Sequence, residues 1–208
     1  MFSTSILKTN IPMKMKIILL ILGIIAILFI ISQLYFMSSQ RNIEQYSFEV
    51  LETFDEIEIR QYEASLVTSV QLSSNDYKKS SSKGFSILAG YIFGGNDKNE
   101  KIAMTSPVAM TLKDKTTMMF LVPKKYSKEN LPTPNDASIE FKNMPAKKVA
   151  AISFGGWADD AKINLYKRKL VAALESKGIG YTNSFSFLGY NAPVEVFNRK
   201  NEIIVELE

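Results

Sequence analysis

Ile102-Ala103-Met104-Thr105-Ser106-Pro107-Val108-Ala109-Met110-Thr111-Leu112 reads as an apolar strand with a proline set in its middle, and Ala192-Pro193-Val194 repeats the interruption near the end of the chain. Upstream of the first segment, Phe48, Val50, Ile57 and Ile59 alternate with Glu49, Glu52, Glu56, Glu58 and Arg60, the period-two pattern of half-buried strands, and Asp55-Glu56 offers a turn between them. Ala64 to Leu72 is a further strand. Asn75-Asp76 then caps a helix whose Tyr77, Ser81, Phe85, Leu88 and Ile92 fall at helical spacing until Gly94-Gly95. Ser80, Ser81, Ser82 and Gly84 make this helix weak by propensity, so packing has to hold it. Thr116 to Val122 is the next strand, and Pro123 closes this half.

Beyond a polar connector containing Pro132 and Pro134, the order recurs. Ser138 to Phe141 and Val149 to Phe154 read as strands, and Asp159 or Asp160 caps a helix carrying Ile163, Tyr166, Leu170, Ala173 and Leu174 on one face. Gly178 ends it, Tyr181 to Leu188 is a strand leading into a loop over 189–198, and Ile203 to Leu207 finishes the chain. The pseudo-repeats, about 46–123 and 138–208, predict an α+β fold: duplicated strands-helix-strands halves forming one antiparallel sheet with two packed helices and a cleft between the halves.

Ahead of this domain, Ile17 to Ile31 is unbroken apolar sequence, and the stretch continues to Met37. As a helix, residues 17–37 span about 31 Å, enough to cross a hydrocarbon core of about 30 Å. Lys8, Lys14 and Lys16 precede it without a single acid, which predicts residues 1–16 in the cytoplasm, 17–37 as a single-pass transmembrane anchor, a linker over 38–45, and residues 46–208 on the extracytoplasmic side, periplasmic or cell-surface. A cleaved signal followed by secretion is the alternative, although cutting after Ser38 or Ser39 leaves Phe36 or Met37 at the −3 position.

Composition narrows the chemistry. The 208 residues contain no cysteine and no histidine, which excludes disulfides, thiol nucleophiles, zinc–thiolate sites, Ser-His-Asp triads and imidazole ligation. Of the net charge of +4, three units sit in the first 37 residues; residues 38–208 hold 22 basic and 21 acidic side chains, so no nucleic-acid partner is expected. No phosphate loop, calcium loop or acid/base pair emerges. Asp159-Asp160 suits a helix start and Gly94-Gly95 a helix end; a Ser-Lys dyad among Ser80, Ser81, Ser82 and Lys83 stays open, although adjacent helical residues point apart and no oxyanion-hole motif accompanies them. No catalytic residue and no protein metal site is expected. The concentration of Met104, Met110, Met118, Met119 and Met144 with Phe85, Tyr91, Phe93, Phe185, Phe187 and Tyr190 suits either an ordinary core or a planar hydrophobic ligand.

Lys101-Ile102-Ala103-Met104-Thr105-Ser106-Pro107-Val108 resembles the K-I-A-M-T-x-P-V signature of the SOUL haem-binding proteins. Supporting pieces follow in order: Tyr46, Glu49 and Val50; Ile59, Arg60 and Tyr62; Phe85, Leu88, Tyr91, Ile92 and Gly94; Pro132 and Pro134; Phe154-Gly155-Gly156; Gly189-Tyr190-Asn191 with Pro193; and Arg199-Lys200-Asn201-Glu202. The resemblance covers about residues 46–208 and implies the same duplicated fold, similar also to bacterial effector-binding domains that hold amphipathic molecules in a central cleft. It implies a non-enzymatic protein that holds haem or another tetrapyrrole non-covalently, between Phe85, Leu88, Ala89 and Ile92 on the first helix and Gly189, Tyr190, Asn191, Ala192 and Pro193 in the last loop. Ser82 and Gly90 stand where a relative would place basic residues for the propionates, which leaves Lys79 or Lys83 for that role. Histidine ligation, proposed for some relatives, is not available here, so capture would be hydrophobic. A module for another amphipathic small molecule in the same cleft is the alternative.

Overall fold

The computed structural model describes residues 12–40, 43–73, 77–112 and 115–208. The chain divides into two units, Met1–Arg41 and Asn42–Glu208. In the first, helix α1 (Met13–Gln40) contains a stretch, Met13–Tyr35, of mean hydropathy 3.0, long and apolar enough to cross a membrane by length and composition. The helix continues through Ser38 to Gln40, residues that the sequence reading gave to the linker, since nothing in Ser-Ser-Gln stops a helix. Lys8, one of the three lysines ahead of the apolar stretch, lies outside the described residues.

The second unit is built from β1 (Phe48–Phe54), β2 (Ile57–Tyr62), β3 (Ser65–Gln71), α2 (Tyr77–Ile92), β4 (Val108–Thr111), β5 (Thr117–Leu121), β6 (Ile139–Met144), β7 (Lys147–Gly155), α3 (Asp160–Ser176), β8 (Tyr181–Gly189) and β9 (Lys200–Leu207). All nine strands join one sheet in the order β1-β2-β7-β9-β8-β4-β5-β3-β6, every neighbour antiparallel. With β1 set aside, the order is symmetric about the β8–β4 contact: β9, β7 and β2 follow on one side, β5, β3 and β6 on the other.

Local signals explain most boundaries. Asp55 turns the β1–β2 hairpin with a φ of 50°. Asp159 caps α3, its carboxylate accepting from the Lys162 N–H at 2.7 Å. Gly178, at a φ of 67°, ends that helix, and the Ile179 N–H returns to the Leu174 carbonyl. The Asn75-Asp76 cap expected for α2 lies outside the described residues. The expected strand over 102–112 is shortened to Val108–Thr111. Pro107 has no N–H to give a ladder, and residues 101–107 bond instead to flanking segments: Ile102 N–H to Ile92, Ser106 N–H to Glu44, and the Thr105 hydroxyl to Leu121. The expected match of Pro107 with Pro193 also fails, because Pro107 precedes β4 whereas Pro193 follows β8, its counterpart in the symmetric order.

Alternation places two clusters on the two faces of the sheet. On the first face, Leu88, Tyr91 and Ile92 of α2 and Ile163, Leu170 and Leu174 of α3 pack over Ile57, Ile59, Met110, Met118, Phe120, Ile152, Phe185, Phe187, Ile203 and Val205. Full burial of a side chain such as Leu170 contributes about 1.5–3 kcal/mol. The weak helix α2 is held here at close range. A Cβ at Gly84 would sit 2.9 Å from Leu72 Cδ1 and 3.1 Å from Met118 Sδ, so glycine lets the helix approach the sheet. The second face carries Tyr62, Val67, Ala109, Met119, Val149, Ala151, Leu188 and Ile204, with Tyr46, Met144 and Tyr190 against them.

Candidate functional site

The β8–β9 loop is tied by its own polar groups. The buried Glu195 carboxylate accepts from Asn191 Nδ2 (2.8 Å) and the Ala192 N–H (2.9 Å), Arg199 Nη1 donates to the carbonyls of Ala192 and Glu195, and the Lys200 N–H donates to Asn191 Oδ1. The Ser106 hydroxyl donates to the Tyr190 carbonyl, so the Thr-Ser-Pro segment helps to fix the loop. With its polar groups turned inward, the loop presents Val194, Val196 and Phe197 to solvent. Trp157, 57% exposed, is linked to the loop through Arg199, whose guanidinium lies 3.9 Å above its ring.

Both helix N-termini reach the same end of the domain. The Tyr77 N–H, first in α2, donates to Asp160 Oδ1, first in α3, and the Tyr77 ring meets Phe187 edge-on at 5.0 Å. Burial pushes the Tyr77 hydroxyl pKa up, and the nearby Arg199 charge opposes that rise. Lys162 Nζ is held on the Gly155 carbonyl at 2.6 Å, and Asn201 Nδ2 bonds the Gly156 carbonyl at 2.8 Å. Exposed apolar side chains with basic groups set among them are suited to a flat, partly anionic ligand.

Not all of the residues expected at a ligand site meet there. Leu88, Ala89 and Ile92 are buried in the core on the first face of the sheet, and Phe85 is half-buried with its ring 5.5 Å from Phe120. Gly189 ends β8, and Asn191 and Ala192 form the base of the loop. Pro193 is exposed on the loop, while Tyr190 packs on the opposite face of the sheet from α2. Lys79 and Lys83 are exposed on α2. The sequence reading stopped at Pro193 and missed Val194, Val196, Phe197 and Trp157. Apolar residues in a loop of this length are the signal that was available for them.

It also missed the buried network on the second face. Arg60 (3% exposed) donates Nη1 and Nη2 to the two oxygens of Glu202 (0% exposed), each at 2.9 Å, and Nε to Glu58 at 2.7 Å. Glu202 further accepts from the Tyr190 hydroxyl at 2.7 Å, the Ser153 hydroxyl at 3.0 Å and Lys200 Nζ at 3.0 Å. Burial alone would raise the Glu202 pKa, but the hydrogen bonds and charge of Arg60, helped by Tyr190 and Lys200, hold it down at about 2. Burial and the Glu202 charge push the Tyr190 hydroxyl well up, so it stays a donor. Arg60 and Glu202 occupy the polar positions of alternating strands and look solvated in sequence. The second face is covered as well, which alternation cannot reveal.

The fold and the site define the class first: an α+β domain with a nine-stranded antiparallel sheet, helices on one face and an apolar loop platform at one end. The SOUL heme-binding protein family profile matches residues 43–206, and the chain belongs to that family. It is 26% identical to Heme-binding protein 1 of Xenopus laevis over 70% of this chain and 80% of that protein, and 27% identical to human Heme-binding protein 2 over 70% and 75%. Among solved structures, the EcmrR C-terminal domain shares the fold at a TM-score of 0.58 and 16% identity, over 75% of this chain and 99% of that one. A hydrolase from Listeria innocua does so at 0.51 and 8%, over 76% and 94%.

Proposed function

We propose that the second unit binds haem or a related tetrapyrrole non-covalently, on the surface formed by the β8–β9 loop and the neighbouring helix starts. The observation that carries this reading is the exposed apolar set Val194, Val196, Phe197 and Trp157 on a pre-tied loop, in a chain of the SOUL heme-binding family. These side chains fit a macrocycle face, with Asn191, Ala192 and Pro193 at the loop's near edge and Phe85 the least buried of the α2 residues expected to take part. Arg199 and Lys162 are placed for propionates, and Lys79 and Lys83 extend the basic rim along α2. Bound haem would supply an iron centre. The chain offers it no histidine or cysteine, so affinity rests on apolar burial and propionate contacts, with Met or Tyr as the available weak ligands. In keeping with a SOUL heme-binding family member, we read the protein as a carrier or sensor. Helix α1 is read as its membrane anchor, with Lys14 and Lys16 on the cytoplasmic flank and the domain outside.

The chain's single tryptophan, Trp157, lies on this surface and reports binding directly. Titrating the full chain in lipid nanodiscs with haemin is expected to quench Trp157 emission to a 1:1 end point, and absence of saturable quenching would overturn the assignment.

A further inference from the structure

Strand β1 forms one end of the sheet, pairing with β2 on one side and with no strand on the other among the described residues. Alternate residues of an edge strand direct their N–H and C=O groups outward, a template on which another extended segment can add a strand. The core does not cover β1: Phe48, Val50 and Leu51 are 37–48% exposed, and Glu49, Glu52 and Thr53 are exposed beside them. The strand is nevertheless fixed at both ends. The Phe48 ring packs 5.0 Å from the Tyr62 ring with the Arg60 guanidinium 4.4 Å above it, and Phe54 packs against the core.

Register sorts the side chains of β1 by face. Phe48 and Val50 stand opposite Tyr62 and Arg60, on the second face, whereas Glu49 and Glu52 stand opposite Gln61 and Ile59, on the face that carries the helices. Two residues three apart in a regular strand point to opposite faces. The register shift between Val50 and Glu52, a bulge at Leu51, brings both glutamates to the same one. The edge is therefore apolar on one face and acidic on the other.

Charge selects the partner. From Tyr46 to Ile59 the chain has five acids, Glu49, Glu52, Asp55, Glu56 and Glu58, and no lysine or arginine. Glu58 is answered by Arg60 at 2.7 Å and Glu56 by Lys169 at 4.0 Å, whereas Glu49 and Glu52 form no ion pair among the described residues. Acids and a bulge are devices by which edge strands avoid pairing with copies of themselves. A second copy offering its own β1 would set its two glutamates among these two. One offering the opposite edge, β6, brings a single lysine, Lys142, that Glu140 already holds at 2.8 Å. A strand with basic side chains on one face and apolar side chains on the other complements both faces of β1.

We infer that β1 is a docking edge for an extended segment of a partner protein in which basic and apolar residues alternate. The segment adds to the sheet as a further strand, its basic side chains beside Glu49 and Glu52 and its apolar ones beside Phe48 and Val50. This edge shares no residue with the tetrapyrrole surface. The probe is a hexapeptide of alternating valine and lysine with an N-terminal fluorophore and a C-terminal amide. It is titrated by fluorescence anisotropy against the full chain in zwitterionic nanodiscs, with empty nanodiscs as the blank. Saturable binding at least about tenfold tighter than that of the valine–glutamate counterpart is expected. Backbone pairing is separated from charge by N-methylating the three valines in one peptide and the three lysines in another. Alternate N–H groups of a strand face the same edge, so one pattern is expected to abolish binding and the other to retain it. The double variant Glu49→Lys with Glu52→Lys, both at exposed positions and its fold checked by circular dichroism, is expected to move the preference to the glutamate peptide. No saturable binding, equal binding of the two charge types, binding that survives both N-methylation patterns, or an unchanged preference in the folded double variant would overturn the proposal. Protection of the β1 amides from hydrogen exchange that rises with protein concentration in the absence of peptide would assign the edge to a second copy, and would overturn it as well.

Discussion

Glu202 is the residue with most at stake in its surroundings, a fully buried carboxylate whose charge is kept by Arg60. Its pKa falls from an ordinary 4.5 to about 2 on folding. Above pH 4.5 both folded and unfolded forms are ionised and the full contribution is present. As pH falls from 4.5 towards 2 the unfolded chain takes up a proton that the folded chain refuses, and stability is lost. Denaturant midpoints measured across that window should fall more steeply for the wild type than for Glu202→Gln, and parallel slopes would contradict this assignment. Removing one partner also leaves the other buried and uncompensated, so Arg60→Met should cost about 3–5 kcal/mol in a urea titration. The pair shows where sequence reading stops. Arg60 and Glu202 appear in the signature pieces, yet their separation of 142 positions and their place on the polar side of two strands conceal that they touch.

Among the elements, α3 was legible almost to the residue, because Asp159 as cap, Gly178 as terminator and the spacing of Ile163, Leu170 and Leu174 are local signals. Strand β4 was not, because Pro107 withdraws half of the apolar run from the ladder and only tertiary pairing decides which half. The same limit applies to α2: helical spacing identified Leu88 and Ile92, and only the structure shows them buried against the sheet. Two substitutions separate core from platform. Leu88→Ala is expected to cost about 2–5 kcal/mol in thermal or urea unfolding, with haemin affinity per folded molecule little changed. Phe197→Ser, at a residue 52% exposed, is expected to leave stability within about 0.5 kcal/mol. Its haemin affinity should fall roughly tenfold, about 1.4 kcal/mol. Haemin titration of both variants checks the pair, and the reversed pattern would place the ligand on α2.

On the scale of the whole molecule, the sequence separates an apolar helix from a nearly neutral domain, and the structure divides the chain at the same region, between Arg41 and Asn42. If α1 is an anchor, the full chain should resist carbonate extraction from membranes, and deleting residues 1–37 should release the domain in folded form. Protease added to the outside of intact cells should degrade the domain; protection would reverse the proposed orientation.

The central proposal is tetrapyrrole capture by burial on the β8–β9 platform without a histidine ligand. Paired titrations of the full chain with haemin and with metal-free protoporphyrin, followed through Trp157, test it most directly. Saturable 1:1 quenching by both, with dissociation constants within about threefold of each other, is the expected result. No saturable binding of either, or a preference for haemin of about a hundredfold, would contradict it.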